Sequence, residues 1–166
     1  HGNQYQINRI LTEIILSGID VSNHRLNVHQ FKKMEEEILD LKSSFLPFRH
    51  AIALMMLPGL DKYALKVSQT QAALDQSAIV AALERYRMAK GSYPKKLAAL
   101  TPKFIAKIPG DLFHEQGFVY RINEDNSFTL YSTGYNGTDD SGEFFIRGES
   151  IDFAKGDWPW PQKVAE

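Results

Sequence analysis

From about Leu60 to Lys90 the chain carries apolar residues at helical spacing, interrupted only by Gln, Ser, Thr and charged side chains. Nothing else in the sequence restricts the fold as much. A helix of that length fixes one layer of a domain and needs an apolar surface to lie against. Leu74, Ala78, Ile79, Ala81, Ala82, Leu83 and Tyr86 are expected to form its packing face. Breakers mark both ends. "LPGLD" (57 to 61) precedes it, and Gly91 follows as a left-handed cap. Tyr93-Pro94 then opposes continuation, because a residue before proline is pushed out of the helical region.

Beyond this helix the grammar changes. "KKLAALTPKFIAKIPGDLF" reads as a short helix or two, punctuated by Pro102 and Pro109. "GFVYRIN" and "SFTLYST" then alternate with period two around the polar turn "EDN", which predicts a hairpin. Phe118, Tyr120 and Ile122 share one face of its first strand, and Phe128, Leu130 and Ser132 one face of its second. "EFFIR" (143 to 147) is a candidate third strand, whereas "DWPWP" (157 to 161) reads as irregular, packed down by its tryptophans. Ahead of the long helix, "QYQINRILTEIILSG" and "SNHRLNVHQFKKMEEEILDLKSS" carry their own helical spacing, with Glu35 to Glu37 on a solvated face. The expectation is an α+β fold: helices including one long one, packed on a small C-terminal antiparallel sheet. Residues 1–60 form a helical extension and residues 61–166 the α+β domain.

Composition closes several routes. The 19 basic and 20 acidic side chains give a formal net charge of −1, which removes any global field for nucleic acid. There is no cysteine, so disulfides and thiolate metal sites are excluded. The longest apolar run, "AIALMML" (51 to 57), is far short of the about 20 residues that span a bilayer. The chain opens on His-Gly-Asn-Gln without methionine, which suggests a piece trimmed from something longer, and any membrane contact is expected through a segment outside it.

Catalytic patterns are thin. There is no phosphate loop and no His-Glu-x-x-His. "LYSTG" has only half of a nucleophile elbow, since Leu130 stands where a glycine is required, so Ser132 reads as a strand-end serine. His24 and His29 are five apart and turn to different helix faces. Charge is nevertheless uneven. Residues 123 to 152 hold seven acidic side chains against Arg147 alone. Within them, "LYSTGYNGTDDSGE" (130 to 143) combines oxygen donors with three glycines. Calcium takes six to eight oxygens from carboxylates, amides and backbone carbonyls, and glycines let a backbone turn its carbonyls inward. Asn136, Asp139, Asp140 and Asp152 could supply side-chain oxygens, although the spacing is not that of an EF-hand and an ordinary Gly/Asp turn explains it as well. Asn136-Gly137-Thr138 also matches the N-glycosylation acceptor pattern.

Taken in order, "ALERYRMAKGSYPKKLAAL", "IPGDLF", "FVYRI", "FTLYSTGYNGTDDSGE" and "SIDF" resemble the globular part of the major pseudopilins of type II secretion, within the type IV pilin-like class. The resemblance covers roughly residues 70 to 155. It implies a calcium-binding loop after the hairpin, with backbone carbonyls from Leu130 and Ser132 and side chains from Asn136 and Asp152. Asn136 stands in place of an aspartate and Asp139 and Asp140 in place of glycines, so either could restore the missing charge. "PGDLF" lacks the usual Asp-Pro, and a helical segment stands where a pilin has its membrane helix. The function implied is a non-enzymatic, extracytoplasmic assembly or interaction module in the periplasm or envelope, with protein partners from an envelope or secretion-type assembly and no nucleic acid. The alternative is a ligand- or peptide-binding accessory domain of a larger envelope protein or enzyme, contacting its ligand through Trp158, Trp160 and the loop.

Overall fold

A computed structural model describes residues 60–148 and 150–161, together with Tyr5, Arg9, Thr12, Ile19, Asp20, Arg25, Leu26, Gln30, Lys33 and Glu36. The chain divides into two compact units, His1–Ser68 and Gln69–Glu166. In the first, Tyr5, Arg9, Thr12, Gln30, Lys33 and Glu36 are helical and exposed. β1 (Ile19–Asp20) pairs antiparallel with β2 (Arg25–Leu26), in register Ile19↔Leu26 and Asp20↔Arg25. That corrects the expected helical start at Ser22. Strand pairing takes Arg25 and Leu26, and Ser22 and Asn23 between the strands are turn-favouring residues. The remainder of the helices expected before Leu60, and "AIALMML", lie outside the described residues.

The long helix runs Leu60–Lys90 and contributes its residues from Gln69 onward to the second unit. It ends as its sequence predicts: Gly91 adopts φ +80° and its N–H donates to Arg87 O at 2.7 Å. Arg87 and Lys90 lie in the last turn, against the negative end of the helix dipole. Among the described residues no helix is long and apolar enough to cross a membrane.

The packing face differs from the expected one. Ile79, Ala82 and Leu83 are buried and Tyr86 packs against them, but Leu74 is 61% exposed and Ala78 and Ala81 also face outward. The buried stripe instead continues through Ala72 and the polar Gln69, Asp75 and Gln76. Apolar spacing could not reveal this, because in the first half of the stripe the buried positions hold amides and a carboxylate. Gln76 Nε2 donates to the Trp158 carbonyl at 2.7 Å, so the stripe meets a polar backbone edge there.

After the helix, a single 3-10 turn at Leu97–Leu100 places Leu100 in the core. Two side-chain bonds secure the connection: the Tyr93 hydroxyl donates to Glu84, and an Arg85 guanidinium N–H donates to Phe104 O. β3 (Val119–Ile122) and β4 (Phe128–Ser132) form the predicted hairpin, with Tyr120 opposite Leu130 and Ile122 opposite Phe128. Phe118 and Leu130 are buried with Ile79, Leu83, Leu100 and Phe104, so one face of the sheet lies on the helix; Tyr120, Phe128 and Trp160 pack around that core.

The last thirty or so residues depart further from expectation. β5 (Phe144–Arg147) is a strand, as its sequence suggests, but it pairs with β6 (Ser150–Gly156) in a separate two-stranded sheet. Residues 158–160 are not irregular. Trp158–Trp160 is β7, paired antiparallel with β4 in register Leu130↔Trp160 and Ser132↔Trp158. The order β3-β4-β7 puts β7 on an edge, where alternate N–H groups point away from the ladder and Pro159 costs no hydrogen bond. The result is α+β: one long helix against small antiparallel sheets.

Candidate functional site: the loop from Thr133 to Glu143

The loop leaves the end of β4 and folds back over the outer face of the three-stranded sheet. Tyr131 is its floor. Its ring lies 3.3 Å from where a Cβ on Gly142 would stand, and its hydroxyl donates to Asp139 Oδ1 at 2.9 Å. Arg121, across the hairpin, sets its guanidinium 6.0 Å over the same ring and donates to Ser141 O at 3.2 Å. Asp139 Oδ1 also accepts the Ser141 N–H at 2.9 Å, and these donors hold its carboxyl below the usual carboxylate range. The Tyr131 phenol is pushed the other way, to about 12, by burial and by the neighbouring Asp139 carboxylate.

Two carboxylates, Asp111 half-buried and Asp157 buried, fasten the ends of the loop. Asp111, from the "PGDLF" segment, accepts the Ser132 hydroxyl at 2.8 Å and the Thr133 N–H at 3.3 Å, with Phe113 N–H adding a third donor at 3.1 Å. Asp157, just before β7, accepts the Gly142 N–H at 2.6 Å through Oδ2, while its own N–H donates to Glu143 O at 2.7 Å. Asp157 is 1% exposed, and its Oδ1 has no hydrogen-bond partner. Burial raises its pKa, and the carboxylates of Asp139 and Asp140 raise it further, against the N–H groups of Gly142 and Asp140. Burial likewise raises Asp111, against its hydrogen bonds.

The expected ligand residues are spread unequally. Leu130 and Ser132 lie in the central strand, Leu130 paired on both sides with Tyr120 and Trp160. Asn136, Asp139 and Asp140 share the loop. Asn136 donates from Nδ2 to Asp140 Oδ2 at 3.1 Å and accepts the Thr138 N–H at 3.2 Å. Asp152 is in β6, accepts the N–H of Ala154 in its own strand at 3.2 Å, and makes no hydrogen bond to the loop. The carboxylate close enough to raise its own pKa through Asp139 and Asp140 is Asp157. Sequence reasoning missed it because it belongs to the stretch read as irregular, and the pairing of β4 with β7 is what brings it home. Among the described residues no three His, Cys, Asp or Glu side chains converge as a ready metal cluster, so an ion here would draw on backbone and amide oxygens too.

Other chemistry has less to stand on. Ser132 is fully buried and its hydroxyl donates directly to Asp111, with no base set between them. Trp158 is 1% exposed, and its indole N–H donates to Phe153 O at 3.1 Å, so it belongs to the core rather than to a ligand surface. An open groove of about 460 Å³ lies elsewhere on the unit, with Lys95, Lys96, Ile108, Phe118 and Tyr120 among its lining residues. Compared with known proteins, the chain matches no family model, and no curated protein or solved structure is significantly similar to it.

Proposed function

We propose that the second unit is a non-enzymatic assembly or interaction module of an extracytoplasmic, envelope-type system, with a pilin-like α+β fold. In this reading loop 133–143 is fastened by a divalent cation, calcium by preference. The compartment and the class of partner rest on the ordered pseudopilin-like words of the sequence. The loop itself supports the cation. Its donors are all oxygens, which suit a hard ion. The observation that carries the reading is Asp157: a fully buried carboxylate with one oxygen unpartnered, beside Asp139 and Asp140. Left alone, such a group costs stability, because burial and like charge both penalise its ionised form. A cation at Oδ1 would remove both costs.

The test is thermal unfolding in excess calcium and in chelator, for the parent and for Asp157→Asn. At a hundredfold excess over its dissociation constant, an ion bound only to the folded state stabilises it by about 2.7 kcal/mol. The parent should gain on that scale. Asp157→Asn should be the more stable of the two in chelator, since the amide keeps an acceptor for Gly142 N–H without the buried charge, and should lose most of the calcium gain. A parent indifferent to calcium, or a variant that keeps the full gain, would sink the reading.

A pH series in chelator provides a second check. Because the pKa of Asp157 is higher folded than unfolded, its contribution is most favourable below the unfolded value, about 4, and is lost as pH rises through the raised value. Asp111 has the same sign, and Asp139, whose pKa is lowered, the opposite one. Asp157→Asn should therefore flatten part of the fall in melting temperature above pH about 4, and calcium should flatten it in the parent. An unchanged slope in the variant would show that Asp157 titrates normally.

A further inference from the structure

The Asn136-Gly137 pair has a chemistry independent of any ion. Asn136 is exposed, and Gly137 (φ +70°) has open surroundings, with Phe113 O the nearest atom at 3.8 Å from where its Cβ would stand. The Thr138 N–H donates to Asn136 Oδ1 at 3.2 Å, which folds the carboxamide back over the peptide that contains the Gly137 nitrogen. The same N–H draws electron density from Cγ and stands where an oxyanion on Oδ1 would form. The amide nitrogen is held on the other side, donating to Asp140 Oδ2 at 3.1 Å. One contact opposes attack: the Gly137 N–H donates to Gly134 O, though at a long 3.2 Å.

We infer that Asn136 is a site of spontaneous deamidation, through which the loop gains a negative charge with age. The Gly137 nitrogen gives up its proton to solvent base and attacks Cγ of Asn136. A new C–N bond closes a cyclic imide as the Cγ–Nδ2 bond breaks, and Nδ2 takes a proton from water and leaves as ammonia. Water then adds to either imide carbonyl and opens the ring to aspartate or isoaspartate. The net reaction consumes one water and releases one ammonia, with no oxidant or reductant. A side chain on the attacking residue would crowd the ring closure, and Gly137 has none. Conversion deletes the Asn136–Asp140 hydrogen bond and puts two carboxylates where an amide faced one. This inference does not depend on the cation reading.

Asn123 and Asn126, in the turn between β3 and β4, are internal controls. They are followed by Glu124 and Ser127, and Asn123 is tied to Ser127 Oγ at 2.8 Å and to Thr129 Oγ1 at 3.0 Å. The full chain would be aged in mildly alkaline buffer at physiological temperature and mapped by peptide mass and chromatography. The Asn136 peptide should gain the mass of an amide-to-acid exchange and split into aspartyl and isoaspartyl forms, faster than the controls by about an order of magnitude. Asn136→Gln, whose longer side chain closes its ring poorly, should stay unconverted under the same conditions. Conversion of Asn136 no faster than of Asn123 and Asn126 would overturn the inference. So would an intact Asn136 in the folded chain under conditions that convert a synthetic peptide of residues 133–140.

Discussion

Gly134→Ala should be among the most damaging single-atom additions in this protein, costing roughly 3 kcal/mol or more. Gly134 is buried with φ +67°, and a Cβ there would stand 2.3 Å from Gly156 O and 3.0 Å from the Trp158 indole nitrogen. Two costs combine. A left-handed backbone costs a residue with a Cβ about 1–2 kcal/mol, and forcing an atom into packed surroundings adds about 1–3 kcal/mol. Relief is limited, because the closest obstacle is a carbonyl of the backbone. Gly117→Ala isolates the first cost, since Gly117 has φ +85° and no atom within 4 Å of its would-be Cβ. In a domain of roughly 100 residues each kcal/mol moves the melting temperature by about 4–8 °C. The two variants should then differ clearly in a thermal melt, and equal losses would show that the contact of loop, β6 and Trp158 is looser than described.

Trp158→Ala should cost about 3–5 kcal/mol, the range for deleting a buried large aromatic side chain. The indole is 1% exposed, meets Phe113 edge-on at 5.2 Å and Phe153 at 6.2 Å, and donates its N–H to Phe153 O. It ties the Asp111 segment, β6 and β7 together. Trp158→Phe keeps most of the ring contact and loses the hydrogen bond, so a loss nearer 1 kcal/mol is expected from that bond, plus a small cavity. Denaturant unfolding of both variants checks the order. A Trp158→Ala variant as stable as the parent would return this tryptophan to the surface, and with it the ligand-contact alternative.

How much of this was legible in the sequence depends on whether the signal was local. The long helix was, because Gly91 and Pro94 state its end and its periodicity needs no partner. The hairpin was, because alternation and a short polar turn specify both strands, whose register the structure then supplies. The helix face was legible only in its second half. Gln69, Asp75 and Gln76 are buried through tertiary contacts such as Gln76 to Trp158 O, which no spacing rule sees. β7 was hidden by Pro159, since whether a proline is tolerated depends on which edge of which sheet it occupies. Asp157 was hidden with it. The loop was visible as a composition, but its anchors, Asp111 and Asp157, come from segments more than ten residues away on either side, and only the strand pairing unites them.

The sheet order β3-β4-β7 also sets a schedule for synthesis. β3 and β4 are joined by a short turn and can pair as soon as both have emerged, whereas β4 must wait for a partner more than twenty residues downstream. A nascent chain paused anywhere between Ser132 and Trp158 therefore displays one open edge of its central strand. A bound chaperone or a rapid supply of the last segment would be most valuable in that interval, which closes when Trp158–Trp160 docks.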